Sequence, residues 1–296
     1  MKKTENMKNI ENMKNIGTIK DLGKTMNLER REDMNLIFFD VDGTLLEFSK
    51  GIKDLSWELK QALETIRANG DRYYICTGRS HGMLPSTIRD MQADGYSLCA
   101  GAYVRVNGQE IRNVYFPQEK LDFIMNRLTQ YEPVLYLECG LELYSNLAET
   151  EESRRYQKRF GIDPAYVKPL GETKGLKVNK ISVTFNSPDH IEAMEDFSDH
   201  GITVLPQPGA LAFDITLAHS TKRDGMKAVK DFMNTERTVR TIAFGDNYND
   251  IEMIEYADIG VAMDNGPEDL KRVADFVTRS VEEEGVLYGL KEVGII

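Results

Sequence analysis

Cysteine, histidine and tryptophan are scarce in this chain of 296 residues, at three, four and one. Cys76, Cys99 and Cys139 are too few and too scattered for a disulfide framework or a paired-cysteine zinc site, and they suit a reducing compartment. His81, His190, His200 and His219 share no ligand spacing and read as surface or hinge residues. No apolar run approaches the roughly 20 residues of a membrane span, and the amino terminus lacks the apolar core of a secretory signal. Positive charge is also in deficit. With 37 basic against 48 acidic residues the net charge is −11, a field that repels nucleic acid and anionic membrane surfaces. A cytoplasmic protein without nucleic-acid or membrane partners is expected. What is present is ordinary: 41% hydrophobic and 29% charged residues, over a length that suits about two domains.

The first stretch stands apart. The hexamer Glu-Asn-Met-Lys-Asn-Ile occurs at Glu5–Ile10 and again at Glu11–Ile16. Six residues match neither a heptad nor a solenoid repeat, and the apolar positions drift around a helix without holding one face. Residues 1–33 are expected to be a weakly ordered tail, with Met26 and Met34 as later candidate starts.

From Met34 the pattern changes. Leu36-Ile37-Phe38-Phe39 is a continuous apolar run, as in a strand covered on both faces, and it ends in polar Asp40-Val41-Asp42-Gly43-Thr44. Leu55, Leu59, Ala62, Leu63 and Ile66 fall at helical spacing before an Asn69-Gly70 stop. Tyr73–Cys76 is a second strand, broken at Thr77-Gly78-Arg79. Strand, helix and strand in this order predict a parallel α/β sheet.

The middle reads differently. Val134–Leu137, Leu141–Ser145, Ile181–Phe185 and Ile202–Leu205 are short strands, and Ile181, Val183 and Phe185 alternate with Ser182 and Thr184 as in a sheet with one exposed face. Amphipathic helices lie near 120–131, 150–160 and 188–199. An α+β module is therefore expected at 117–209, between core segments 34–116 and 210–296. The resumed core would hold a strand at Phe213–Leu217, a helix at Lys222–Asn234, and strands at Val239–Phe244 and Ile259–Met263. A core interrupted in this way suggests a cap over a crevice.

Four polar clusters follow predicted elements of the core: Asp40/Asp42, Thr77, Lys222 at a helix start, and Asp246/Asn249/Asp250. The carboxyl ends of strands are where open α/β sheets bind ligands. Grouped carboxylates repel one another unless a cation joins them. Without histidine or cysteine nearby, that cation would be a hard, oxygen-seeking ion such as Mg²⁺. A lysine and a hydroxyl beside it are what a phosphoryl group requires.

Phe39-Asp40-Val41-Asp42-Gly43-Thr44-Leu45-Leu46 resembles the first motif of the haloacid dehalogenase superfamily, and Ile75-Cys76-Thr77-Gly78-Arg79 its second. Lys222 resembles the third, and Gly245-Asp246-Asn247-Tyr248-Asn249-Asp250 the fourth. The last motif and the mid-chain insertion are similar to the Cof-type, IIB-like phosphatases. The resemblance implies a Rossmann-like parallel-sheet core with an inserted α+β cap. It also implies a Mg²⁺-dependent phosphatase of small phosphomonoesters, sugar phosphates or phosphorylated cofactors, working through an aspartyl-phosphate. Asp40 would be the nucleophile. Asp42 would be the general acid and base, with a raised pKa to hold its proton. Asp40, the Asp42 main-chain carbonyl and Asp246 would hold the metal, supported by Asp250. Gly43, Thr77, Gly78 and Lys222 would bind phosphate, and Asn249 would contact the phosphate or orient Lys222. The same residues leave a phosphomutase and a catalytically silent regulatory protein as alternatives.

Arg79 reads as a loop-fixing ion pair, Arg223 as solvent-facing, and Cys76 as core packing. Ala100 stands where the family usually has Asn, near the expected cap hinge. Of Tyr136, Glu138, Tyr144 and Lys180 in the cap, Glu138 or Lys180 is expected to contact the leaving group.

Overall fold

The computed structural model describes residues 34–147, 150–194, 197, 200–207, 211–218, 220–233 and 238–296. The expected tail at 1–33 and His219 lie outside the described residues.

An eight-stranded sheet forms the core from β1 (Met34–Phe39), β2 (Arg72–Cys76), β3 (Gly95–Leu98), β4 (Tyr103–Val106), β5 (Gln109–Asn113), β12 (Val239–Gly245), β13 (Ile259–Ala262) and β14 (Phe276–Val277). A six-stranded sheet holds β6 (Val134–Cys139), β7 (Glu142–Ser145), β8 (Val167–Pro169), β9 (Lys180–Thr184), β10 (Ile202–Pro206) and β11 (Ala212–Leu217). The helices are α1 (Trp57–Ala68), α2 (Ser86–Arg89), α3 (Gln118–Thr129), α4 (Glu151–Phe160), α5 (Lys222–Met233), α6 (Ile251–Tyr256), α7 (Glu268–Val273) and α8 (Gly285–Glu292).

The large sheet runs β14-β13-β12-β1-β2-β3-β4-β5. Pairing is parallel from β14 to β3 and antiparallel across β3, β4 and β5. The apolar run in β1 needs cover on both faces, and its alternation decides which side chains go where. Ile37 and Phe39 pack with Leu59, Leu63 and Ile66 of α1 and Leu290 of α8. Leu36 and Phe38 pack with Met226 and Val229 of α5 and Met253 of α6. Helix α1 starts where the Ser56 side chain accepts the Leu59 N–H, an N-cap worth about 1 kcal/mol.

Sheet order reverses at β1, where the chain leaves toward β2 on one side and returns through β12 on the other. Phe39 pairs with Phe244, so the residues that follow each strand, Asp40 and Asp246, emerge beside one another. This is the switch point at which such sheets bind ligands.

Two sequence expectations are corrected. Ala212–Leu217 does not rejoin the core: β11 pairs antiparallel with β9 and β10 inside the smaller sheet. A short apolar run carries no label of the sheet it will join. Residues Pro188–Met194 form a 3₁₀ segment where an α-helix was expected. The hairpin β4–β5 was not anticipated, although Asn107-Gly108, with φ of 49° and 80°, is the strongest short hairpin signal in the chain.

Ala100 has a structural consequence. Cys99, Ala100 and Gly101 all take positive φ, at 51°, 52° and 86°. A Cβ on Gly101 would lie 2.1 Å from the Thr221 carbonyl oxygen, so this turn packs directly against the start of α5. Left-handed backbone costs an ordinary residue about 1 kcal/mol or more, and Asn less. Ala100→Asn is accordingly expected to stabilise the fold by about 0.5–1 kcal/mol, read as a higher urea midpoint at unchanged slope.

Candidate active site

Three carboxylates converge where β1 and β12 end. Asp40, Asp246 and Asp250 each offer an oxygen lying within 4.8 Å of the others. Asp40 follows β1 and its N–H donates to the Phe244 carbonyl at 3.0 Å, which locks the loop against β12. Asp246 follows β12, and Asp250 ends the turn before α6. Gly43 permits the approach of Asp246: a Cβ there would meet Asp246 Oδ2 at 2.0 Å.

Lys222 supplies the counter-charge. Its Nζ, wholly buried at the start of α5, donates to Asp40 Oδ1 at 2.5 Å and to Asp250 Oδ1 at 2.6 Å. The other Asp250 oxygen accepts the N–H groups of Asp246 at 3.1 Å and Asn247 at 3.0 Å. Both oxygens of Asp250 are thus committed to holding the loop and the lysine. Asp246 is held more lightly, by the Thr44 hydroxyl at 3.1 Å and by Asn265 Nδ2 at 3.4 Å.

One ammonium does not balance three clustered acids, and the carboxyls respond. Burial pushes Asp40 up to about 7 against the pull of Lys222, with the Asp250 and Asp42 charges adding to the push. Burial, with the charges of Asp40 and Asp250, pushes Asp246 up to about 9. Without a further cation the cluster retains a proton near neutral pH. All the donors are carboxylate oxygens, the set a hard divalent ion takes. Asp40, Asp246 and Asp250 are the group placed to hold such an ion, with Asp250 also fixing the loop behind them.

Asp42 departs from expectation. Its half-exposed carboxylate is gripped by Arg79, Nε to Oδ2 at 2.7 Å and Nη2 to Oδ1 at 2.6 Å. Burial works to raise its pKa, but the Arg79 guanidinium outweighs that and holds the carboxyl below its ordinary value. The raised pKa expected of Asp42 is absent because the bidentate partner favours the charged form. Arg79 does more than fix a loop: Nη1 also donates to the Met83 carbonyl at 2.8 Å and to the Phe160 carbonyl, at the end of α4, at 2.6 Å.

The remaining expectations divide. Thr77 is buried, and its hydroxyl accepts the Arg79 N–H at 3.2 Å. Gly78 lies against Asn249, whose Nδ2 would be 4.0 Å from a Cβ there. Asn249 is exposed and it is Asp250 that orients Lys222. The Gly43 N–H donates to the Leu46 carbonyl at 2.7 Å. Arg223 faces solvent, near Glu252. All three cysteines are free, and Cys76 is buried, its thiol pushed up to about 12 by burial. His81 packs on Tyr96 and Tyr166, His190 on Tyr131 and Phe185, and His200 on Phe123.

Sequence reading missed Thr44 and Asn265. Asn265 Nδ2 donates to the Gly43 carbonyl at 2.9 Å, and its Oδ1 accepts the Val281 N–H at 3.0 Å, so from the loop after β13 it bridges the segments after β1 and β14. Its signal was the Asp-Asn-Gly after a strand, indistinguishable in sequence from an ordinary turn.

Over this site lies one face of the smaller sheet. Glu138 is fully buried, and its Oε2 accepts the N–H of Ser80, the residue after Arg79, at 2.7 Å. Its Oε1 lies 2.9 Å from Lys180 Nζ and 2.9 Å from the Ser182 hydroxyl oxygen. Of the two residues expected to contact a leaving group, Glu138 is therefore spent on joining the smaller sheet to the core.

The chain is 27% identical over 267 residues to the 5-amino-6-(5-phospho-D-ribitylamino)uracil phosphatase YitU of Bacillus subtilis, covering 87% of this chain and 96% of that one. Among solved structures, a phosphatase of the haloalkanoate enzyme superfamily from Bacteroides thetaiotaomicron superposes with a TM-score of 0.71 at 25% identity, over 92% of this chain and 99% of that one. A HAD subclass IIB sugar phosphatase shares the fold with a TM-score of 0.73 at 24% identity, over 89% of this chain and 100% of that one. The profile of the haloacid dehalogenase-like hydrolases matches residues 37–290, and the chain belongs to that family.

Proposed function

We propose that this protein is a Mg²⁺-dependent phosphatase of small phosphomonoesters that works through an aspartyl-phosphate on Asp40. The observation that carries this reading is the buried junction of Asp40, Asp246 and Asp250 on Lys222, with Asp42 two residues beyond Asp40. The relative from Bacillus subtilis acts on a phosphorylated ribityl compound, which supports a small phosphomonoester here. Among the described residues no helix is long and apolar enough to cross a membrane. The free cysteines favour a reducing, cytoplasmic setting.

A carboxylate makes the better nucleophile when its charge is aligned and not over-neutralised. Lys222 holds one Asp40 oxygen, and the other is left to attack phosphorus in line with the leaving oxygen. Bound Mg²⁺ would supply positive charge to the phosphoryl oxygens and keep Asp40 ionised. Thr77 and the Gly78 amide stand at the end of β2 to hold those oxygens. Arg79 holds Asp42 charged, so its acid role requires that it take a proton from solvent as substrate turns it away from the guanidinium. Protonated Asp42 then gives that proton to the leaving oxygen, and the carboxylate so formed takes one back from the water that cleaves the acyl phosphate.

We further propose that residues 117–217 act as the cap, so that the core resumes after β11. Two ties support this reading: Arg79 donates to the Phe160 carbonyl, and the Ser80 N–H donates to Glu138. Such a roof keeps bulk water from the phosphoenzyme. The purified protein is expected to release inorganic phosphate from p-nitrophenyl phosphate with Mg²⁺, and to lose that activity in EDTA. Full activity in EDTA refutes the metal-dependent reading.

A further inference from the structure

Register in the smaller sheet places Tyr136 opposite Ser182 and Ser182 opposite Asp214, with Glu138 opposite Lys180 and Lys180 opposite Thr216. Paired residues, and those two apart on one strand, share a face. One face is thus Tyr136, Glu138, Lys180, Ser182, Asp214 and Thr216. The opposite face carries Leu135, Leu137, Ile181, Val183 and Ile215, packed on Leu121, Ile124 and Leu128 of α3.

A polar sheet face ordinarily meets water. This one is turned inward: Glu138 is 0% exposed, Lys180 4% and Ser182 2%. Burying a charged row is costly unless its groups are paired or serve a ligand. Most are paired. Lys180 Nζ lies 2.9 Å from Glu138 Oε1 and 3.3 Å from Asp214 Oδ2, and Ser182 donates to Asp214 Oδ1 at 2.7 Å. Two groups have acceptor capacity to spare. Asp214 keeps a quarter of its side chain exposed. Gln207, just after β10, donates from Nε2 to Asp214 Oδ1 at 3.0 Å while its Oε1 is buried without a partner among the described residues.

The row overlies the catalytic loop. Glu138 meets the Ser80 N–H, and Lys180 is near enough for its charge to act on Asp42. Tyr156 of α4 lies beside Lys180, Asp214 and Gln207, closing one side. One ammonium against two carboxylates leaves the cluster net negative.

We propose that Asp214 and Gln207 are specificity-determining residues that accept hydrogen bonds from an uncharged, hydroxyl-bearing leaving group, and that the cluster's negative charge rejects leaving groups carrying a second anion. This rests on the phosphatase reading above and refines it. Hydroxyls donate to the spare acceptors, whereas a second phosphate would lie against the carboxylates with Lys180 already engaged.

The test compares kcat/KM for a hexose monophosphate, the matching hexose bisphosphate and p-nitrophenyl phosphate with Mg²⁺. The wild-type protein should prefer the monophosphate over the bisphosphate by about tenfold or more. Asp214→Asn, which removes one negative charge, should narrow that preference several-fold. Gln207→Met, at a strand end where folding is less at risk, should lower the ratio of hexose monophosphate to p-nitrophenyl phosphate by about tenfold. A wild-type preference for the bisphosphate overturns the proposal, as do ratios that move less than about twofold in both variants. Absence of any p-nitrophenyl phosphatase activity would instead bring down the phosphatase reading itself, and this inference with it.

Discussion

Asp40→Asn is expected to lower phosphate release by at least about 10³-fold while leaving the protein folded. The amide keeps the shape of the carboxyl but lacks its negative charge and nucleophilicity. Lys222 loses one charged partner and keeps the other, at 2.6 Å on Asp250. Removing the Asp40 charge also takes away one of the like charges that, with burial, push Asp246 up in pKa. The metal-free variant should therefore be at least as stable as wild type. That combination, dead but stable, separates a chemical role from a structural one. It is read by initial rates with p-nitrophenyl phosphate alongside urea denaturation. A variant with wild-type turnover removes Asp40 from the chemistry.

Lys222→Met should have the largest effect on stability. Its ammonium touches two buried carboxylates, and taking it away leaves both without compensation. Breaking a buried pair from one side costs about 3–5 kcal/mol, because the remaining charge stays out of water. Methionine fills much of the lysine stem's volume, so cavity formation adds little. The loss should appear as a lower urea midpoint in EDTA. Saturating Mg²⁺ should restore part of it, since an ion bound only to the folded state at a hundred times its Kd contributes about 2.7 kcal/mol. A metal-free loss below about 1 kcal/mol would show that the lysine is not the counter-charge of the cluster.

Some of this site can be read from the chain because it is assembled from local signals. Asp40 and Asp42 follow an apolar run, Asp246 and Asp250 follow another, and Lys222 opens an amphipathic helix. A strand buried on both faces cannot carry such residues within it, so they fall at its carboxyl end, where the sheet's order reversal gathers them. The Arg79 grip on Asp42 was not legible. Both residues were noticed, but adjacency across 37 positions depends on how two loops are aimed. The raised pKa expected of Asp42 failed for the same reason.

The smaller sheet shows the limit most plainly. Alternation in Ile181–Phe185 reveals two faces and suggests an exposed one, while Glu138 and Lys180 are expected to face a leaving group. The polar face is buried, with Glu138 against the Ser80 N–H of the core. Strand β11 falls in the core when the inserted module is expected to end at 209, yet its partners are β9 and β10.

Composition, the order of apolar runs and the four polar clusters were enough to determine an α/β core with acidic and polar clusters after its strands, since each follows from spacing along the chain. Which sheet a strand joins, which face of the roof looks inward and which arginine holds which acid were decided only by tertiary packing. Periodicity says that a strand has two sides; it takes contact with another surface to say what each side will meet.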